Sequence, residues 1–387
     1  ISVIDSLFES ISALTTTGAT VLTGLDEMPK SLLFYRQLLQ WLGGMGIIVL
    51  AVAVLPLLGI GGMQLYKAET PGPLKGSKLT PRIMETAKAL WYVYLSMTVV
   101  CAVLYRTFGM TTFDAICHSF STVAIGGFST HDQSFAYFPQ AGIRYTAIVF
   151  MILAGVNFAL HFTAWSKKRL FHYFYDSECR SYLGIMLLAF AITFTTIAYT
   201  SNHYSYKTFE ESLFQVVSIA TTTGFLSSNY AELPLFIPLL LLSVAFIGAC
   251  AGSTGGGIKV IRALILLKQG AGELTKLVHP NAIVSIKISQ KPLNKRVSES
   301  VWGFFSVYVL VFMILLLFLL SQGNNFITSF SAVGATLNNL GPGLGDVTNN
   351  YSSLNNNSKL GLCLAMLLGR LEIFTLLVVF TPAFWRN

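Results

Sequence analysis

Thr15-Thr16-Thr17-Gly18-Ala19-Thr20 follows a short apolar stretch at 6–14, and Thr221-Thr222-Thr223-Gly224-Phe225-Leu226-Ser227 follows another at 209–220. A looser version, Val123-Ala124-Ile125-Gly126-Gly127-Phe128-Ser129, follows 113–122. A fourth, Leu337-Asn338-Asn339-Leu340-Gly341-Pro342-Gly343, follows 327–336. With Phe8, Ile116, Phe214 and Phe330 in register, Gly18, Gly126 and Gly224 fall ten residues downstream and Gly341 eleven. One Thr-Thr-Thr-Gly alone reads equally well as a helix end with a polar loop. Its return at a common spacing is what carries the signal, because an internal repeat sets the architecture before any local detail.

Outward from each turn, a polar connection leads to a long apolar segment. Spanning candidates of roughly 20 residues or more lie at 32–60, 86–108, 142–165, 182–200, 235–267, 301–320 and 359–382. The unit reads membrane helix, pore half-helix, Gly-bearing filter turn, membrane helix. The expected fold is an all-α integral membrane protein with four such pseudo-symmetric repeats around one ion pore. Residues 1–62, 85–165, 181–267 and 299–387 form the repeats, the third with a broken second helix. Residues 63–84, 166–180 and 268–298 link them. The first repeat lacks its leading helix, so Ile1 reads as an incomplete start.

Composition agrees. The chain has 387 residues, 53% of them hydrophobic and 11% charged, with a mean hydropathy of +0.64. Soluble domains carry about 25% charged residues, so a soluble enzyme, a disordered chain and a disulfide-stapled secreted module are excluded. The net charge of +8 collects in the linkers. Lys67, Lys75, Lys78 and Arg82 lie in the first, Lys167, Lys168, Arg169 and Arg180 in the second. Lys268, Lys276, Lys287, Lys291, Lys295 and Arg296 lie in the third. The alternating connections carry Asp26, Glu27, Asp132, Glu210, Glu211 and Asp346. This asymmetry places the basic linkers on the cytoplasmic side, against lipid headgroups, and no nucleic-acid module accompanies it. Cys101, Cys117, Cys179, Cys250 and Cys363 form no C-x-x-C pair and suggest neither a disulfide nor a metal site.

Irregular backbone at membrane depth is tolerated only inside protein or beside a watery cavity. A half-helix that turns back presents its carbonyl end, which favours a cation. Carbonyls of the following turn can then replace the ion's water. Such neutral oxygens suit a hard alkali cation, not a transition metal.

The four-fold repeat resembles the Trk/Ktr/HKT superfamily of potassium transporters, most closely its bacterial Trk membrane subunits, the TrkH family. The matching stretches are 15–18, 124–127, 221–224, 338–343, 248–259 and Leu368-Gly369-Arg370. The resemblance implies that carbonyls of Thr16, Thr17, Ile125, Thr222, Thr223, Asn339 and Leu340 coordinate K⁺ beside filter glycines Gly18, Gly126, Gly224 and Gly341. A serine at the first filter glycine accompanies Na⁺ preference in a plant relative, so Gly18 implies K⁺ as the transported ion, with no organic cofactor. A homodimer in the bacterial inner membrane and a cytosolic nucleotide-binding regulatory subunit, TrkA, are also implied.

Gly248, Gly252, Gly255, Gly256 and Gly257 interrupt an apolar segment within ten residues. Each glycine costs a helix interior about 1 kcal/mol, so an unwound loop is expected there. It is not a phosphate loop, because Ile258 separates Gly257 from Lys259. In the family the matching loop is a gate. Arg370 lies midway along the last segment, where a charge marks function by default; it is expected to repel cations or bind the loop. Asp5 and Glu9 are expected to lend negative field at the pore entrance. His118, Asp114, Asn157 and His161 read as packing or interhelical polars. The rivals are an alternating-access cation symporter, which would need corresponding breaks in two related halves, and the potassium-binding subunit of a pump. No acid cluster or Ser/His pair suggests an enzyme.

Overall fold

The computed structural model describes residues 2–49, 83–166, 168, 171–201, 205–234, 236–282, 284–289, 291–371, 373–379 and 385. Nearly all of the first linker, with its four basic residues, and Lys167, Arg169 and Glu372 lie outside the described residues. The elements are helical apart from a two-residue ribbon, Lys287–Ile288 against Lys291–Pro292. They are α1 (Val3–Leu14), α2 (Lys30–Val49), α3 (Ile83–Thr107), α4 (Thr112–Ala124), α5 (Ala141–Ala154), α6 (Phe158–Ser166), α7 (His172–Tyr175) and α8 (Ser177–Ser201). Then come α9 (Tyr206–Ala220), α10 (Ile237–Ile247), α11 (Val260–Val278), α12 (Lys295–Ser321), α13 (Phe326–Leu337), α14 (Asn356–Arg370) and α15 (Ile373–Val379).

Among the described residues, 87–107, 177–200 and 296–321 are each long and apolar enough to span a membrane. These are the leading helices of repeats two, three and four. The half-helices are α1, α4, α9 and α13. Each starts at a side-chain cap, Ser2, Thr111, Ser205 or Asn325, that accepts from backbone N–H groups of the first turn. Each stops where the chain enters the left-handed region, at Thr16, Ile125, Thr222 and Asn339, with φ between 51° and 65°. A β-branched residue such as Ile125 rarely adopts that conformation. Four equivalent strained residues therefore mark one motif used four times.

The hydrogen bonds correct the sequence register. Thr17, Gly126, Thr223 and Leu340 each donate N–H to the carbonyl five residues back, Ser12, Ser121, Ser218 and Ala335, at 2.8–2.9 Å. These four residues are equivalent. The aligned anchors are thus Phe8, Cys117, Phe214 and Ser331, not Ile116 and Phe330. All four glycines, Gly18, Gly127, Gly224 and Gly341, then lie ten residues downstream. The fourth copy needs no adjustment, and Gly127 replaces Gly126 as the counterpart of Gly18. Their backbones agree: Gly18, Gly127 and Gly224 have φ of 80°, 79° and 82°.

The segment at 142–165 is not one straight helix. The axes of α5 and α6 meet at 94°, with the break at Gly155, Val156 and Asn157. A Cβ on Gly155 would overlap the Tyr182 hydroxyl, and the Asn157 side chain accepts from Ala159 N at 2.8 Å to start the next helix. The segment at 235–267 breaks as expected, between α10 and α11.

Buried ion pairs tie repeats together. Arg144 on α5 binds Glu210 on the next half-helix at 2.7 Å, and Lys359 on α14 binds Asp5 on α1 at 2.8 Å. Within repeat one, Arg36 binds Glu9 at 2.6 Å. Asp5 and Glu9 are therefore neutralised by neighbouring bases and do not supply the expected entrance field. Removing one partner of such a pair strands a buried charge. Arg144→Ala should cost about 3–5 kcal/mol of stability, read as a lower unfolding temperature in detergent, and Arg144→Met with Glu210→Met should recover most of it.

Candidate ion pathway

The four turns close into a ring. A Cβ on Gly18 would overlap the Gly126 carbonyl oxygen, and one on Gly127 would overlap that of Thr223. One on Gly224 would stand 2.6 Å from Pro342 Cδ, and one on Gly341 would stand 2.7 Å from the Gly18 carbonyl. Each glycine thus lies against the backbone of the next turn, in the order one, two, three, four and back to one. Glycine is required at all four positions for space, and at Gly18, Gly127 and Gly224 for φ as well.

Thr16, Thr17, Ile125, Thr222, Thr223 and Leu340 are 0% exposed, and Asn339 is 1% exposed. Among the described residues, no hydrogen bond reaches the carbonyls of these seven. More than nine in ten buried carbonyls in proteins are paired, so seven unpaired ones in adjacent turns form a site lined with unsatisfied oxygens. The hydroxyl of Thr16 and the side-chain oxygen of Asn339 are also buried and unpartnered. Around them the turns are pinned from behind. Thr15 and Thr17 share a hydroxyl hydrogen bond at 2.8 Å, as do Thr221 and Thr223 at 2.7 Å. Asn339 Nδ2 donates to Thr17 Oγ1, and Tyr308 donates to the Asn338 side chain.

On one side of the ring is a vestibule of about 440 Å³, lined by Gly18, Gly127, Gly224 and Gly341 together with polar residues such as Ser129, Asp132 and Asn350. On the other side lies the Gly-rich segment at 248–257. Thr254 Oγ1 donates to the Val123 carbonyl of repeat two at 3.0 Å. Gly256 N donates to Thr222 Oγ1 of repeat three at 2.7 Å, and Gly257 N to the Asn338 carbonyl of repeat four at 3.1 Å. A Cβ on Gly256 would overlap that same Asn338 oxygen, so this glycine is required by close approach. Arg370 Nη1 donates to the Thr254 carbonyl at 2.9 Å, while its Nε and Nη2 are buried with no hydrogen-bond partner among the described residues. The structure therefore brings together every filter and loop residue singled out in the sequence.

Two supports went unseen there. The loop docks on the α5/α6 break, with Cys250 N donating to the Gly155 carbonyl and Phe158 N to the Gly252 carbonyl, each at 3.0 Å. Glu178, on the first turn of α8, accepts from Ala251 N at 2.6 Å. A carboxylate in the first turn of a spanning helix was the available signal. His118 and Asp114 do local work, binding Ser129 and Thr130 of the connection after turn two. Asn157 caps its own helix, and His161 binds the Tyr173 hydroxyl and the Leu153 carbonyl across the bend.

The family model described as TrkH, cation transport protein, matches residues 1–387. The chain belongs to the TrkH family. It is 57% identical over 390 residues to the Trk system potassium uptake protein TrkH of Vibrio parahaemolyticus, covering 100% of this chain and 80% of that one. It is 54% identical over 389 residues to the Escherichia coli K12 protein of the same name, with the same coverage. The crystal structure of the potassium transporter TrkH from Vibrio parahaemolyticus superposes with a TM-score of 0.90 at 54% identity, over 100% of this chain and 80% of that one. The family is one of membrane transport proteins, not enzymes.

At the vestibule, His131 binds Asp26 of repeat one and lies 3.5 Å from Asp114 of repeat two. Burial opposes its charge, but the bonds to Asp114 and Asp26 outweigh this and hold it above its usual value. The bond to His131 likewise holds Asp26 below the usual carboxylate value. A raised histidine pKa gives stability that is complete below the unfolded value, about 6.5, and lost as pH rises through the folded value. Unfolding temperature in detergent should therefore fall as pH rises above about 6.5, and His131→Gln should flatten that slope.

Proposed function

We propose that this TrkH-family chain mediates potassium uptake, with the four turns as its selectivity filter. The seven buried, unpaired carbonyls carry the reading. Leaving a buried carbonyl unmatched costs about 1–3 kcal/mol, and a dehydrated alkali cation supplies the missing partner for several at once. The relatives' names, as Trk system potassium uptake proteins, point to K⁺ as the substrate.

The direction follows from charge. The basic linker after α11 and the start of α8, where Glu178 meets the loop, lie on the loop side; Asp26, Asp132 and Asp346 lie on the vestibule side. The positive-inside rule makes the loop side cytoplasmic, so K⁺ enters through the vestibule, crosses the filter and meets the loop last. This is the multi-pass topology of a bacterial inner-membrane protein. The segment at 248–257, with Gly248, Gly252, Gly255, Gly256 and Gly257, is the gate, and Arg370 is its electrostatic latch. A guanidinium bound to the Thr254 carbonyl holds the loop in place and opposes a cation below the filter. The family resemblance, and no contact within this chain, is what suggests a homodimer and a TrkA-type cytosolic nucleotide-binding regulator.

In proteoliposomes, Rb⁺ uptake should be blocked by external K⁺ and indifferent to Na⁺. Arg370→Ala should raise flux several-fold without changing that preference. Flux equal to wild type would overturn the latch, and absence of cation flux even with Arg370 removed would overturn the filter.

A further inference from the structure

Gly126 is a filter-turn glycine whose backbone does not demand glycine. Its φ lies outside the left-handed region, unlike those of Gly18, Gly127 and Gly224. Its equivalents are Thr17, Thr223 and Leu340, all of which carry a side chain. What excludes one at 126 is Gln40 of α2: a Cβ there would stand 2.5 Å from the Gln40 Cδ and Oε1 and 2.9 Å from Nε2. The Gln40 carboxamide occupies the place of the missing side chain.

It also bonds to the turn at both ends. Gln40 Nε2 donates to the Gly126 carbonyl at 2.6 Å, and Phe128 N donates to Gln40 Oε1 at 3.3 Å. Gln40 is 0% exposed and both polar atoms are satisfied. In turns one and three the corresponding work is done by the threonine hydroxyl pairs. The layer made by Thr17, Gly126, Thr223 and Leu340 is therefore unequal. Three of its carbonyls receive no hydrogen bond, and the fourth is held by Gln40.

We propose that Gln40 is a positioning residue that sets ion specificity, by standing in for the side chain that Gly126 lacks and by holding the Gly126 carbonyl in this layer. The inference rests on the filter reading above. A fixed carbonyl cannot close in on a smaller ion, so holding it favours K⁺ over Na⁺. Released, it moves freely in the ring and the discrimination weakens.

The test is Rb⁺ uptake into proteoliposomes with K⁺ or Na⁺ as competitor. Gln40→Leu should lower the preference for K⁺ over Na⁺ by about tenfold, the scale of one buried hydrogen bond. Gly126→Ala alone should abolish most uptake, because its Cβ meets the Gln40 amide. Gln40→Ala combined with Gly126→Ala should regain uptake, because the truncation clears that space. An unchanged K⁺/Na⁺ preference in Gln40→Leu overturns the proposal, as does a double variant no better than Gly126→Ala alone. Gly224→Ala separates the two readings. If it alters the preference and Gln40→Leu does not, only the role of Gln40 fails; if neither does, the filter reading fails with it.

Discussion

Seven carbonyl oxygens buried without a hydrogen-bond donor are the constraint on which the molecule is arranged. In a helix or sheet the backbone would pair them at once. Keeping them unpaired requires a chain that leaves the helix, enters a left-handed residue, and is then held from outside. The strained residues Thr16, Ile125, Thr222 and Asn339 do the first part. Strain of this kind costs about 1–3 kcal/mol per residue and persists only where the surroundings over-determine it. Those surroundings are the hydroxyl pairs, Gln40, Tyr308 and the close packing of glycine on the next backbone. The ring is stable because each turn is the wall of its neighbour.

Charge is placed by the same logic. A pathway for cations near buried carboxylates risks binding the ion too tightly to release it. Here Asp5, Glu9 and Glu210 on the half-helices are each matched by Lys359, Arg36 and Arg144. In the filter reading proposed above, the acids cap and anchor, the bases cancel them, and neutral oxygens are left to face the ion. Arg36 adds a second task, stacking 4.2 Å above the Phe128 ring just past the second turn. Arg370 meets the loop through one nitrogen, and its other two have no hydrogen-bond partner among the described residues. In the gate reading proposed above, a positive charge there opposes the ion where the path is to be closed.

Much of this was legible in the sequence because it is periodic. The four turns, the three long apolar helices and the Gly-rich break stand where composition and spacing put them; Arg370, expected midway along one continuous segment, instead ends α14. The register of the second turn was not legible, since Gly126 and Gly127 are adjacent and identical as letters. Only the bond from Gly126 N to the Ser121 carbonyl tells which one carries the positive φ. Gln40 was missed because a glutamine in a largely apolar run, with Gln37 three residues before it, looks like a routine interhelical polar. The bend at Gly155 was missed because hydropathy continues unbroken through it.

That bend alters what the Gly-rich loop is. A loop of ten residues at membrane depth exposes backbone groups that need partners, and a straight helix beside it would offer none. By breaking at Gly155–Asn157, the second repeat frees the Gly155 carbonyl and the Phe158 N–H, and the loop takes both through Cys250 and Gly252. The two breaks answer one another, each taking backbone groups that the other frees. Glu178 and Arg370 then hold the loop through single polar contacts from two further helices. The loop is thus secured by backbone pairing both to the α5/α6 break and, through Gly257, to the fourth turn, with the side chains of Glu178, Thr222 and Arg370 completing its contacts.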